Sequence, residues 1–335
     1  MESRWLLFGT LLFVGFIGVK RVFFESSNVT KPVRTDRIAT VIGLTKTGPI
    51  EGFVHTTNGG VKANVFLGIP YAAPPVGQLR FERPQPPNPW TKPLETKSFR
   101  KACVPFISQK LHGGIETVSE DCLYLNVMTP TNLTKKDKRA VLVYIHGGGF
   151  NFGDCIRAGF DKYVTNFVSR GVIVVTMSYR VGLYGFFSTG DSVAEGNNGL
   201  WDQVAALKWI HDNIALFRGD PNSVTVFGQS AGSTSADILA LAPPSRGLFC
   251  EFFGFWKIIV TEYVHKVVQA SGSAAHHWSI NNNDPVASTM KVLHALGFHS
   301  NNSAEIKAFL KTQTVARILE VSSTSGTARL LSAEC

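Results

Sequence analysis

The sequence predicts an α/β fold in which a central, mostly parallel, twisted sheet carries helices on both faces, and three observations support it. Val141 to Ile145, Val172 to Ser178 and Val224 to Phe227 are short, β-branched and apolar almost throughout, the composition of strands covered on both faces. Between the second and the third, Trp201 to Phe217 places Val204, Leu207, Ile210, Ile214 and Phe217 at spacings of three and four, which makes one apolar helix face. The third observation is a Gly-Gln-Ser-Ala-Gly run, Gly228 to Gly232, standing between the strand Ser223 to Phe227 and the helical stretch Ala231 to Leu241. Such alternation of strand and helix is the pattern of a sheet with helices packed on its two sides.

Composition agrees with a packed core: 335 residues, 44% hydrophobic and 17% charged, too apolar for a disordered chain. The net charge of +9 is spread along the sequence, and its densest run, Lys135 to Arg139, is one short loop-like stretch. No basic stripe or interleaved aromatic pattern supports nucleic-acid binding.

In chain order, Met1 to Arg4 lead into the uncharged run Trp5 to Val19, followed by Lys20 and Arg21. Its 15 residues suit the apolar region of a signal peptide better than a membrane span, which needs about 20. No small-x-small cleavage site follows, and the basic pair also suits a short uncleaved anchor. Residues 1–21 are therefore expected to be a signal peptide or a short signal anchor, which sends the chain into the secretory pathway to be secreted or anchored by this segment. Membrane contact is expected only there. Three Asn-x-Ser/Thr sequons, at Asn28, Asn132 and Asn301, agree with glycosylation in that compartment. Cys103 and Cys122, with 18 residues between them, suit a disulfide in an oxidising lumen. With no CxxC pair and no His/Cys cluster, no metal and no cofactor are expected.

Residues 22–335 read as one domain, with no repeat and no low-complexity linker. Ile38 to Val54 forms a hairpin turning through Lys46, Thr47 and Gly48, and Val61 to Leu67 forms another strand. Pro70, Pro74, Pro75, Pro84, Pro86, Pro87 and Pro89 forbid regular structure, so Tyr71 to Trp90 wraps the surface in extended segments.

The Gly228 to Gly232 run carries the chemistry. A serine on a strand-to-helix turn is held in a strained conformation with its hydroxyl above the sheet, and flanking glycines avoid a clash of β-carbons. The helix N-terminus adds partial positive charge where an oxyanion forms. A bare GxSxG arises by chance in a Gly- and Ser-containing chain, but its position here makes it informative. The second element, His146-Gly147-Gly148-Gly149-Phe150, directly follows the strand Val141 to Ile145. Alone, such a turn holds a phosphate or merely reverses the chain; paired with the serine elbow it reads as an oxyanion loop.

With these elements in place the sequence resembles the type B carboxylesterase and cholinesterase family from about Thr40 to Phe249. Three blocks carry the resemblance: Leu67-Gly68-Ile69-Pro70-Tyr71-Ala72, Ser119-Glu120-Asp121-Cys122-Leu123-Tyr124-Leu125-Asn126-Val127, and Phe217-Arg218-Gly219-Asp220-Pro221-Asn222 leading into Gly228 to Gly232. The resemblance implies an α/β-hydrolase fold and a carboxylic ester hydrolase working through a serine acyl-enzyme on a small-molecule ester. It assigns Ser230 as nucleophile and the N–H groups of Gly148, Gly149 and Ala231 to the oxyanion hole. It also implies a Cys103–Cys122 disulfide and structural ion pairs of Arg80 with Glu120 and Arg180 with Asp202. The stretch from Val104 to Asp121 lacks the Trp with which cholinesterases hold a cationic head. Gln229 also replaces the Glu expected before the nucleophile, so a general or lipid-like ester is expected rather than acetylcholine.

Two departures shape the remaining expectations. In the family the acid and the His follow well downstream of the serine, and the chain ends 105 residues after Ser230. The fold is therefore expected to lack its C-terminal part, and the chain to lack acid and base. His265, His276, His277, His294 and His299 read as structural or surface residues. Residues 250–264 look like an insertion, either retained intron or alternative exon sequence or a genuine loop or membrane-facing hairpin. Two alternatives to an esterase stand beside it: a non-catalytic secreted or cell-surface recognition protein, and an inert truncated product.

Overall fold

The computed structural model describes residues 40–106, 115–241, 263–276 and 285–324. The segment 1–21, Asn28, His277 and residues 250–262 lie outside the described residues.

Among the described residues eight strands build the main sheet: β1 (Thr40–Leu44), β2 (Pro49–Thr56), β3 (Lys62–Pro70), β4 (Tyr124–Pro130), β5 (Arg139–Ile145), β6 (Ile173–Met177), β7 (Gly219–Gln229) and β8 (Lys266–Ala270). Their order is β1-β2-β3-β4-β6-β5-β7-β8, and the two-residue strand Leu94–Glu95 pairs with β2. The sheet is mixed. Pairings from β1 to β6 across β2, β3 and β4 are antiparallel, whereas β6, β5, β7 and β8 run parallel to one another. The parallel half and the β1–β2 hairpin are the parts read from the sequence, and the parallel half carries the serine elbow. Tight hairpins such as that of Thr45 to Gly48, closed by the Thr45 hydroxyl on the Gly48 carbonyl at 2.7 Å, account for the antiparallel half.

Helices cover both faces. On one, α1 (Asp161–Asn166) brings Val164 and Tyr163 onto Val65, Met128 and Val174. On the other, α3 (Asn198–Asn213) and α4 (Ala231–Leu241) bury Leu200, Val204, Leu207, Ala236 and Leu239 against Val141, Val143, Ile145 and Val175. Alternate residues of β5 thus serve the two faces, as the pleat requires. The helix α3 ends at Asn213, and the final turn, Ile214–Phe217, tightens to a 3-10 helix before the chain enters β7. Between β6 and α3 lies α2 (Gly182–Phe186), a short helix buried at every residue.

A further apolar cluster collects α5 (Pro285–Ala295), α6 (Ser303–Thr312) and α7 (Val315–Thr324) against Phe81, Phe106, Leu183, Tyr184 and Phe187. Polar contacts from the proline-rich wrap position it. Arg80 clasps Glu120 with two bonds of 2.6 and 2.5 Å and donates from Nη1 to the carbonyls of Leu310, Lys311 and Gln313. A cation thus satisfies the C-terminal carbonyls of α6. Lys307 and Lys311 reach back to Glu82. Burial pushes the Glu82 carboxyl up, but hydrogen bonds and charge from both lysines outweigh it and hold the group below the usual range.

Both implied ion pairs are present. Arg180 and Asp202 are almost fully buried, joined by two bonds of 2.7 Å, and Asp202 also accepts the Arg180 backbone N–H at 3.0 Å. Cys103 and Cys122 are disulfide-bonded. Of the segment 250–264, Tyr263 is buried beside His211 and Val264 packs on the main core. No described helix is long and apolar enough to cross a membrane.

Candidate active site

Ser230 is the single residue between β7 and α4, and it adopts φ +57°, a left-handed conformation rare for a residue with a β-carbon. Its surroundings impose the strain. A β-carbon on Gly228 would lie 1.9 Å from the Gly232 carbonyl oxygen, and one on Gly232 would lie 2.2 Å from that of Ile145. The turn is therefore pressed onto the end of β5. Its backbone is fully engaged: the Ser230 N–H donates to Ala270 at 2.8 Å, and its carbonyl accepts from Ser233 and Thr234 at 2.8 and 3.0 Å. The side chain is half-buried, and among the described residues none is hydrogen-bonded to its hydroxyl.

The glycine loop after β5 meets this elbow directly. A β-carbon on Gly147 would fall 2.4 Å from the Gln229 carbonyl oxygen and 3.0 Å from Ser230 Cβ. Gly148 and Gly149 take φ values of +122° and +57°. Their carbonyls are drawn back into the loop: Asn151 and Phe152 donate backbone N–H groups to Gly148, and the Asn151 amide donates to Gly149 at 2.7 Å. The N–H groups of Gly148, Gly149 and Ala231 have no hydrogen-bond partner among the described residues. Around the Gly149 Cα the space where a β-carbon would stand is open to 4 Å.

Buried groups hold the loop from behind. The His146 ring stacks on Tyr179 at 4.3 Å, its Nδ1 lies 2.9 Å from the Gly147 carbonyl, and the Tyr179 hydroxyl donates to the His146 carbonyl at 2.9 Å. Burial keeps that phenol protonated far above its usual range. At the exit of the loop Cys155 shares a hydrogen bond with Ser178 and receives one from Asn126, which also bonds Thr176 and the Gly68 N–H. Burial raises the Cys155 thiol to about 11, so it is a neutral strut.

The structure thus brings together Ser230, Gly148, Gly149 and Ala231. Among the described residues no histidine is hydrogen-bonded to the Ser230 hydroxyl. His265 Nδ1 accepts the Val224 N–H, His294 and His299 face each other, and His276 is exposed. Asn132 and Asn301 are exposed. Sequence reasoning missed Tyr179 and Gly272; a β-carbon on the latter would lie 2.4 Å from the Ser230 carbonyl oxygen. No local pattern marks either, since each acts on a segment distant in the chain.

The mixed sheet, its covering helices and a serine at the β7–α4 turn define an α/β-hydrolase. The chain belongs to the carboxylesterase family, whose model matches residues 39–333. It is similar to the duck (Anas platyrhynchos) medium-chain fatty acyl-CoA hydrolase precursor, 38% identical over 295 residues, covering 83% of this chain and 48% of that protein. With esterase FE4 of the aphid Myzus persicae it shares 40% identity over 275 residues, 81% of this chain and 45% of that one. Among solved structures, juvenile hormone esterase from Manduca sexta, with OTFP covalently attached, superposes with a TM-score of 0.72 at 30% identity, covering 84% of this chain and 50% of its own. The chain therefore spans about half the length of the relatives it matches.

Proposed function

We propose that this protein hydrolyses small carboxylic esters through an acyl-enzyme on Ser230. The observation that carries the reading is the meeting of a strained serine with three N–H groups that lack partners among the described residues. The Ser230 hydroxyl gives its proton to a base as its oxygen adds to the ester carbonyl, and the negative charge moves to the carbonyl oxygen, where the N–H groups of Gly148, Gly149 and Ala231 receive it. Collapse breaks the bond to the alcohol oxygen, to which the base returns the proton, and leaves the acyl group on Ser230; water, deprotonated by the same base, repeats the sequence and releases the acid. Donors that give up no hydrogen bond within the described residues can receive charge as it develops, which is where such sites gain most of their rate.

A serine hydroxyl needs a base to take its proton and an acid to orient that base. Neither is bonded to Ser230 among the described residues, so the proposal places both in the half of the relatives' length that this chain does not span. Two features favour a neutral ester: Gln229, exposed beside Ser230, brings no negative charge, and residues 104–121 contain no Trp to attract a cation. The disulfide, the exposed sequon residues Asn132 and Asn301 and the apolar run at residues 5–19 support maturation in the secretory pathway.

The test is hydrolysis of a nitrophenyl ester by the secreted protein and by its Ser230→Ala variant. A fall of at least ~10³-fold is expected, the scale on which serine hydrolases lose rate without their nucleophile. Retention of full activity by the variant would remove Ser230 from the mechanism. One observation favours a second reading, a non-catalytic recognition protein: no described side chain engages the Ser230 hydroxyl. Wild-type protein that is folded, binds an ester and does not cleave it would establish that alternative.

A further inference from the structure

We infer that Asp237 is a positioning residue that holds the turn after β8 against the backbone of Ser230; the inference rests on Ser230 being the nucleophile.

The elbow is supported from two sides, and the supports differ in kind. Toward β5 it rests on buried backbone, as Gly228 and Gly232 show. Toward β8 it has little apolar burial to rely on, because Lys266, Val268 and Gln269 are exposed. There the Ser230 N–H depends on the Ala270 carbonyl, at 2.8 Å, and that carbonyl is only as fixed as the turn that follows it. Ser271 in this turn has φ +61°, a conformation that needs external contacts to persist.

Those contacts come from one face of α4. Ser233 and Asp237 stand one helical turn apart and point the same way. The Ser233 hydroxyl donates to the Gly272 carbonyl at 2.6 Å. Asp237 Oδ2 accepts both the Ser273 hydroxyl at 2.9 Å and the Ala274 N–H at 2.8 Å. Bonds to a carboxylate are stronger than those between neutral groups, so Asp237 is the firmer clamp. Between the two clamps Gly272 lies so close to the elbow that a β-carbon would fall 2.4 Å from the Ser230 carbonyl oxygen. A turn released by Asp237 would relax away from Ser230, lengthen the bond from its N–H to Ala270 and let the strained φ at Ser230 change. Asp237 touches no reacting atom; it acts through Gly272 and Ala270.

Amide hydrogen exchange on the full chain, followed at Ser230 and in β2 and β3, tests this without requiring turnover. Asp237→Ala is expected to speed exchange at the Ser230 amide about tenfold, equivalent to ~1.4 kcal/mol of opening free energy, with β2 and β3 unchanged. Asp237→Asn keeps an acceptor oxygen and is expected to restore most of the protection. No change at Ser230, or an equal rise in β2 and β3, would overturn the inference. Should Asp237→Ala fail to fold, Ser273→Ala, which removes one of the two donors, is read in the same way, with a smaller rise expected at Ser230 alone.

A second readout is the reaction of Ser230 with a fluorophosphonate. The limiting rate is expected to fall in Asp237→Ala while the half-saturating concentration stays put, which a purely structural loss of folded protein does not produce. A Ser230 unreactive in the wild type would count against the nucleophile reading, whereas the exchange data decide the role of Asp237 independently.

Discussion

The two flanks of β7 are built differently. On one, β5 buries Val141, Val143 and Ile145 at 1% exposure or less and continues into the glycine loop, which is stacked, bonded and packed from His146 to Cys155. On the other, β8 leaves Val268 48% exposed, and the turn after it is tied down by side-chain hydrogen bonds from α4. Within the described residues the glycine loop proposed to hold the oxyanion is closely packed on the elbow, and no side chain is hydrogen-bonded to the Ser230 hydroxyl. The contrast is thus between an elbow flank fixed by buried packing and one fixed by side-chain hydrogen bonds.

Mutations test how sharp this contrast is. The largest effect is expected beneath the buried flank: Asp202→Ala leaves Arg180 charged and almost fully enclosed, a change that costs ~3–5 kcal/mol, read as a fall in the denaturant midpoint. Gly148→Ala adds a β-carbon 2.0 Å from the Phe152 carbonyl oxygen at a φ that side chains avoid. It is expected to lower kcat by roughly 10²–10³-fold, the usual loss when one oxyanion donor is misplaced, with KM little altered. Next comes a direct comparison of the strands. Ile145→Val on β5 should destabilise by ~0.5–1.5 kcal/mol, whereas Val268→Ala on β8 should stay within about 0.5 kcal/mol; equal losses in chemical denaturation would mean that β8 is as enclosed as β5.

The smallest effect concerns the α6 clasp. The Glu82 carboxyl, lowered by Lys307 and Lys311 against the opposing effect of burial, contributes stability that is fully present above the normal carboxylate range. That contribution is lost as pH falls through the lowered pKa. Melting curves of wild type and Glu82→Gln should therefore differ at neutral pH and converge in acid.

Where local chemistry dominates, the sequence was legible. Short β-branched runs marked β5, β6 and the core of β7; spacings of three and four marked α3; and the glycines around Ser230 marked the elbow, because each depends on neighbours within a few residues. The implied ion pairs and disulfide are also where the resemblance put them. The β1–β2 hairpin was legible from its turn at Lys46 to Gly48, but the antiparallel pairing of β3 with β4 was not, since partners such as Phe66 and Val127 are 61 positions apart in chain numbering and no local pattern records them. The helix α2, Gly-Leu-Tyr-Gly-Phe, has poor helix propensity and exists because every residue is buried. The cluster of α5 to α7 went unread because what organises it, Arg80 and the aromatics Phe81 and Tyr184, lies some two hundred residues earlier. The roles of Tyr179 and Asp237 share that origin: each fixes a backbone segment it meets only in three dimensions.

The central claim is that Ser230 is the acylated residue of an ester hydrolase, and mass-spectrometric mapping of the fluorophosphonate-treated protein, purified from cells expressing its own gene, tests it most directly. The account predicts a single adduct on Ser230, lost in Ser230→Ala and formed far more slowly in Gly148→Ala. A folded, disulfide-bonded protein that takes up no label at Ser230, or that is labelled equally in Ser230→Ala, would contradict it.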